Sequence, residues 1–326
     1  MQFMKKRKVL IITTQMDLFL SYNEMECATN NNWGMIELNQ LFDTTIVPVS
    51  NIISNTKRYV NDNYDILFMH NINPIRFLPI QFLKVLFPEC RKKKIVCLSH
   101  ASIFGKSHVP ADFGMFKSFI PWMISDYDRI LFFSPKSLEE TVESGFPREK
   151  CSLVHWGADL NFINKFTDET SKGNYWISTG KENRDFLTME IAARQLRQFS
   201  ELKVLKGGYK YIDAVRLTAH SKGVIIIPNH QGLKYCTGLT CVMDALALGK
   251  PIISVRNPYF PFDIEKEKCG LYVKPESPYE IVEAVRKMES DYNLYEEACI
   301  NSKRMSLQYN MSKYVVELCK SFESSI

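Results

Sequence analysis

Apolar runs of four to six residues, unbroken by polar alternation, recur along this chain and limit its folds more than any other feature. Residues 8–13 (KVLIIT), 64–69 (YDILFM), 94–98 (KIVCL) and 129–133 (RILFF) read as strands buried on both faces. Stretches 45–49 and 152–155 bring this first set to about six. Helical patterns at 33–42, 79–87 and 135–143 lie between them. Strands without alternation, separated by helices, predict a parallel sheet covered on both sides.

A polar segment at 161–174 interrupts the pattern, with DETSKG at 168–173 as the linker. A second series follows, with strands predicted at 175–178, 203–205, 223–227, 251–255 and 271–273. Its helices are predicted at 185–198, 211–220, 239–248 and 278–288. The fold class is therefore α/β, with two doubly wound, Rossmann-like parallel-sheet domains over residues 1–168 and 169–310. Ligands of such sheets bind beyond the carboxyl ends of the strands, so the expected site is a central cleft that the domains face.

A chain of 326 residues has room for two such cores. The net charge of +5 is modest and requires no nucleic-acid partner. Nine cysteines are scattered with no C-x-x-C pair, which supports neither a zinc site nor a disulfide framework and suits a reducing cytoplasm. No metal site is expected. No apolar stretch reaches the length of a membrane span, and the basic start followed by 8–13 reads as a buried first strand rather than a signal peptide.

The segment KYCTGLTCVMDALALGKPII at 234–253 carries the strongest local signal. Thr237 and Gly238 open a helix where free N–H groups and the helix dipole favour a phosphate, and glycine lets that phosphate approach the backbone. Asp244 lies about two turns into the helix, where it either meets a pair of ribose hydroxyls or faces solvent. Gly249 is placed to close the helix as a left-handed cap before Pro251.

TGLTCVMDALALGKPII resembles the donor-binding helix of GT-B glycosyltransferases, above all the retaining family-four group. That resemblance implies a ribose role for Asp244 and backbone contacts to the diphosphate at Gly238 and Leu239. The first acid of the family pair is Cys236 here. Residues 127–163, with Gly157, Asp159 and Phe162, are similar to the segment that ends the family's first domain. Residues 270–285 (GLYVKPESPYEIVEAV) and 94–105 (KIVCLSHASIFG) match two further segments in order. The resemblance implies an acceptor domain at 1–168, a donor domain at 169–310 and a C-terminal helix at about 311–326 packing back on the first.

Sugar transfer from a nucleotide needs the departing diphosphate neutralised. STGKENRD at 178–185 offers a Gly turn at Gly180, a helix start and two cations, Lys181 and Arg184. These are similar to the family's diphosphate clamp; Arg184 suits bidentate binding and Lys181 acts as a point charge. Asp185 reads as the helix cap. His100 ends the 94–98 strand and is either a cleft group meeting donor or acceptor or a core histidine satisfied by backbone. His70 is the second choice, His155 reads as packing, and His230 falls in the donor loop. Gly34 either falls where the family carries a Gly-rich turn under donor and acceptor, or simply precedes a helix capped by Asn32.

Two other chemistries lack their residues. Residues 8–17 hold no G-x-G-x-x-G after the first strand, and Asp65, Asp126 and Asp128 make no hydrolase pair by spacing. The expected function is transfer of a sugar from a nucleotide-sugar donor to a glycan or lipid-linked acceptor, retaining and metal-independent, with no separate cofactor. A sugar-nucleotide epimerase and a non-catalytic binding subunit are the rivals. Residues 79–87, the basic run Arg91–Lys92–Lys93–Lys94 and the aromatics Phe113, Phe116, Phe119 and Trp122 point to an anionic membrane surface as a further partner.

Overall fold

The computed structural model describes residues 7–24, 26–70, 77–100, 120–167 and 173–324. The linker at 168–172 and the aromatics Phe113, Phe116 and Phe119 lie outside the described residues. In chain order the first part holds β1 (Lys8–Thr13), α1 (Met16–Leu20), α2 (Met35–Leu41), β2 (Asp43–Pro48), α3 (Ile52–Asn61) and β3 (Ile66–Met69). It continues with α4 (Ile80–Leu86), β4 (Lys94–Ser99), α5 (Ile120–Ile124), β5 (Arg129–Phe132), α6 (Pro135–Glu143) and β6 (Cys151–Leu153). The second part holds α7 (Leu160–Ile163), β7 (Tyr175–Ser178), α8 (Phe186–Leu196), β8 (Glu201–Val204), α9 (Tyr211–His220) and β9 (Gly223–Ile226). Then come α10 (Leu239–Ala247), β10 (Ile252–Val255), β11 (Gly270–Val273), α11 (Pro278–Ser290), α12 (Tyr292–Ser306) and α13 (Met311–Ser324).

Among the described residues the strands form two wholly parallel sheets, ordered β2-β1-β3-β4-β5-β6 and β11-β10-β9-β7-β8. The central strands β3, β7, β9 and β10 are buried at every residue, which accounts for their unbroken apolar sequence. The edge strand β2 is largely polar and exposed. In each sheet the chain lays down one neighbour, then crosses to the other side of its first strand. The reversal falls between β1 and β3 in one sheet and between β7 and β9 in the other. These are the topological switch points where such sheets bind ligands.

The chain divides into two compact units, one of residues up to 22, 31–154 and from 314 on, the other of 23–30 and 155–313. The stretch 155–167, which the sequence reading counts with the first domain, packs with the second. Its backbone is the reason: Ala158 bridges Asn310, and Met311 N–H donates to the Ala158 carbonyl at 3.1 Å. A Cβ on Gly157 would sit 2.0 Å from the Tyr309 carbonyl oxygen, so only glycine fits there. Asp159 caps α7 through Phe162 N–H and also accepts from the Thr29 amide at 3.1 Å, which holds the 23–30 strap in the same unit.

Helix α13 joins the first unit. Phe322 is fully buried and meets Phe42 and Phe68 edge to face, with centroids 5.6 and 5.4 Å away. Truncating a side chain so placed costs about 3–5 kcal/mol. Tyr314 donates to the Trp33 carbonyl at 3.2 Å. The cap before α2 is Gly34 in the left-handed region (φ 82°), not Asn32, whose side chain makes no capping bond. A left-handed glycine starts that helix with no side-chain acceptor.

Candidate functional site

At the switch point of the second sheet, the loop after β7 is zipped to the loop after β9. Asp185 N–H donates to the Ile227 carbonyl at 2.9 Å, and Asn229 N–H donates to that of Asn183 at 3.0 Å. Arg184 and Pro228 form an antiparallel bridge between these bonds. Asp185 then caps α8, accepting from the Thr188 amide at 3.0 Å and its hydroxyl at 2.6 Å. This scaffold turns Arg184 inward, where it is 8% exposed.

The guanidinium lies between two glycines. A Cβ on Gly180 (φ 140°) would come within 2.7 Å of Arg184 Nε, and one on Gly238 (φ 93°) within 3.3 Å of Nη2. Both positions therefore need glycine for conformation and for space. Arg184 donates to the Glu182 carbonyl at 3.2 Å and to Cys241 Sγ at 3.7 Å, while Nε has no partner. Among the described residues no carboxylate pairs with it. A buried guanidinium without an anion is costly.

Helix α10 starts at the same place. Gly238 is its N-cap and offers no side chain; the Leu239 N–H is taken by the Cys236 carbonyl at 3.1 Å, and the Thr240 and Cys241 amides have no side-chain cap. Thr237 beside it is 5% exposed with an unpartnered hydroxyl. Leu239 is buried behind them. Cys241, in the first turn, donates to the Thr179 carbonyl at 3.3 Å and ties the helix to the β7 loop. Gly180, Arg184, Thr237, Gly238 and Leu239 are thus gathered around one helix end. Lys181 is not: its side chain is exposed and lies toward Gly207. The two cations expected to act together differ in burial, Arg184 being held inside by the Pro228 bridge and Lys181 being left at the surface.

Asp244 is buried, 8% exposed, and does not face solvent. Tyr211 at the start of α9 donates to its Oδ1 at 2.7 Å. Burial raises the Asp244 pKa to about 7, against the lowering effect of the Tyr211 bond. Phe162 stacks on Tyr211 with centroids 5.9 Å apart, and Asn30 of the strap is wholly buried beside it. Cys236, where the resemblance places an acid, is a buried thiol pushed up to about 12, so this position carries no charge at neutral pH.

In the first unit His100 stands one residue past β4. Its ring meets Trp33 edge-on at 4.4 Å and Phe133 at 5.1 Å, and donates to the His70 carbonyl. His70 sits at this sheet's switch point, buried, with Nδ1 3.0 Å from Thr13 Oγ1 and Nε2 unpartnered. Loss of hydration lowers both rings, His100 to about 4 and His70 to about 3, so both are neutral at pH 7. His155 packs on Tyr309 at 5.3 Å, and His230 is exposed beside Glu276. Asp65 and Asp128 take structural roles, accepting from the Lys8 and Ile95 amides at 3.0 and 2.8 Å.

Two residues that sequence reasoning passed over, Tyr209 and Tyr211, also belong to the second unit's site. Their signal was the loop GGYKY at 207–211, glycines followed by alternate tyrosines. Among the described residues no three His, Cys, Asp or Glu side chains gather as a metal site.

No protein-family model and no curated protein sequence matches this chain. Solved structures do. HepE from Anabaena, determined with UDP and glucose, superposes with a TM-score of 0.65 at 11% identity over 98% of this chain and 100% of that one. Sucrose-phosphate synthase from Thermosynechococcus elongatus gives 0.68 at 9% identity over 98% and 99%. A UDP-N-acetylglucosamine 2-epimerase gives 0.57 at 11% identity over 97% and 95%. At such identities the likeness shows the fold alone: this chain has the two-domain α/β fold of the GT-B glycosyltransferases.

Proposed function

We propose that this chain is a glycosyltransferase that takes its sugar from a nucleotide-sugar donor held by the second unit. The observation that carries the reading is Arg184, buried with no carboxylate at the uncapped start of α10. A diphosphate leaving group is the anion that such a pocket suits. Arg184 would neutralise it, the Thr237 hydroxyl and the α10 amides would bind its oxygens, and Asp244 would take the ribose hydroxyls. These fixed donors supply leaving-group stabilisation without a metal or separate cofactor. His100, neutral, would position the sugar or acceptor rather than carry charge.

Calorimetry with UDP, GDP and ADP tests the reading, followed by turnover of the matching nucleotide sugar. Binding of none of the three would overturn it. Conversion of the sugar nucleotide to its epimer without transfer would favour the epimerase, and binding without turnover a non-catalytic subunit. The anomeric configuration of the product reads retention directly.

For the acceptor we propose a glycan or lipid-linked molecule met at an anionic membrane surface. What supports this is α4, which leaves Phe82 57%, Val85 69% and Leu86 69% exposed beside Trp122 at 41%. The four-residue basic run beside it divides. Lys93 is buried on the carbonyls of Tyr59, Val60 and Asp62, and Lys94 pairs with Asp128 at 3.2 Å, which leaves Arg91 and Lys92 at the surface. No described helix is long and apolar enough to cross a membrane. The nine free cysteines suit a reducing compartment, and we propose the cytoplasm.

A further inference from the structure

The hydroxyl of Tyr209 stands at the mouth of the Arg184 pocket. It comes from the loop between β8 and α9, and its oxygen accepts the Gly180 N–H at 2.6 Å. Gly180 is the residue whose other side is covered by the Arg184 guanidinium, within 3 Å of where a Cβ would stand. The phenol and the guanidinium therefore meet one glycine from two directions. Cys241 and Arg184 lie close enough to act electrostatically on the phenol.

Hydrogen-bond directions decide what the phenol does. Tyr209 oxygen is the acceptor from Gly180, so its own O–H proton is left to donate. Among the described residues nothing accepts that proton. Arg184 Nε and the Thr237 hydroxyl are also without partners, and the Thr240 and Cys241 amides of α10 have no side-chain cap. Several donors without acceptors thus lie on the loops that meet at Gly180 and Gly238. Burial raises the Tyr209 pKa, which keeps the phenol protonated at neutral pH.

We infer that Tyr209 is a phosphate ligand: it donates its hydroxyl proton to a diphosphate oxygen of the nucleotide bound between Gly180, Arg184 and the start of α10. This rests on the proposed donor site and extends it to a loop that sequence reasoning did not assign. With its oxygen fixed by the Gly180 amide, the phenol is held ready and needs no rearrangement on binding. Tyr209 is a binding residue for the leaving group, and no bond-making step passes through it.

Tyr209→Phe in the full chain keeps the ring and removes the donor together with the acceptor of the Gly180 N–H. UDP and uridine are titrated by NMR into wild type and variant, with GDP and guanosine or ADP and adenosine as the pair if the wild type prefers them. Loss of a bond to a charged group should weaken the diphosphate about tenfold or more, and leave the nucleoside within about twofold. Unchanged melting of the free variant shows that the loop still folds. Equal diphosphate affinity in variant and wild type overturns the inference while the donor site stands. Tighter binding in the variant overturns it too, because the phenol would then be occupying the anion's place. An equal loss for nucleoside and diphosphate marks a role in loop shape alone and also overturns it. If the wild type binds no nucleoside diphosphate, both the donor site and the inference fall.

Discussion

Tyr211 donates its hydroxyl proton to Asp244 Oδ1 across 2.7 Å, which gives a carboxyl buried in the middle of α10 its one bond from another side chain among the described residues. The pair joins the starts of two proposed tasks, since α9 supplies the donor and α10 the acid expected to meet ribose. Tyr211→Phe leaves the acid buried without that donor. The loss of a buried bond to a charged group costs roughly 1–3 kcal/mol. Urea unfolding should show a lower midpoint with the slope unchanged, and an unaltered midpoint would mean that water replaces the phenol at no cost.

The same carboxyl predicts a pH dependence. Its pKa is raised from 3.8 to about 7 in the folded chain. Between those values the folded state holds a proton that the unfolded state has released. Stability from this group is therefore full at low pH, declines as pH rises through about 4 to 7, and is level above. Other groups titrate in the same range, so the informative quantity is the difference between wild type and Asp244→Asn. Wild type should gain stability relative to Asp244→Asn as pH falls from 7 to 4. Nucleotide binding runs the other way: ribose hydroxyls donate best to the ionised acid, so wild-type UDP affinity should rise from pH 6 to 8 and that of Asp244→Asn should stay flat.

Arg184 and Lys181 should separate in the binding of a nucleoside diphosphate. Arg184 is buried at Gly238, and Lys181 is exposed with its side chain toward Gly207. Arg184→Ala removes a charge-assisted contact, so affinity for UDP should fall tenfold or more, since each tenfold is about 1.4 kcal/mol. The folded stability should hold or rise, because the mutation removes an uncompensated buried charge. Lys181→Ala should change affinity by a few-fold at most, within the range of an exposed charge. Equal losses in the two variants would return Lys181 to the clamp.

Much of the fold was legible because its central strands are buried on both faces and advertise it with consecutive apolar residues. Two long helices were not. Helix α3 buries Asn55, Thr56 and Tyr59, and α12 buries Ala298, Ser302, Met305 and Ser306, so neither shows an apolar stripe. The helix start at Thr237 and Gly238 was legible from its own residues. Tyr209 and Tyr211 were not, because their partners lie 29 and 33 residues away and are chosen by chain crossing rather than by spacing. The division near residue 154 was hidden for the same reason. Ala158 pairs with Asn310, far along the chain.

The exposed face of α4 yields the last prediction. Phe82 meets Trp122 edge to face at 5.4 Å, so two helices present one apolar surface while their other sides are buried. Arg91 and Lys92 flank it, but Lys93 and Lys94 are spent inside. Hydrophobic insertion should therefore outweigh charge in membrane binding. Flotation with vesicles containing phosphatidylserine compares wild type, Phe82→Asp with Leu86→Asp, and Arg91→Glu with Lys92→Glu. The aspartate pair should abolish flotation at all salt concentrations. The glutamate pair should weaken it several-fold at low salt and little at high salt, since surface charge is screened within about 10 Å at 0.1 M. A wild type that stays at the bottom of the gradient at low salt would turn this face over to another partner and the acceptor to a soluble glycan.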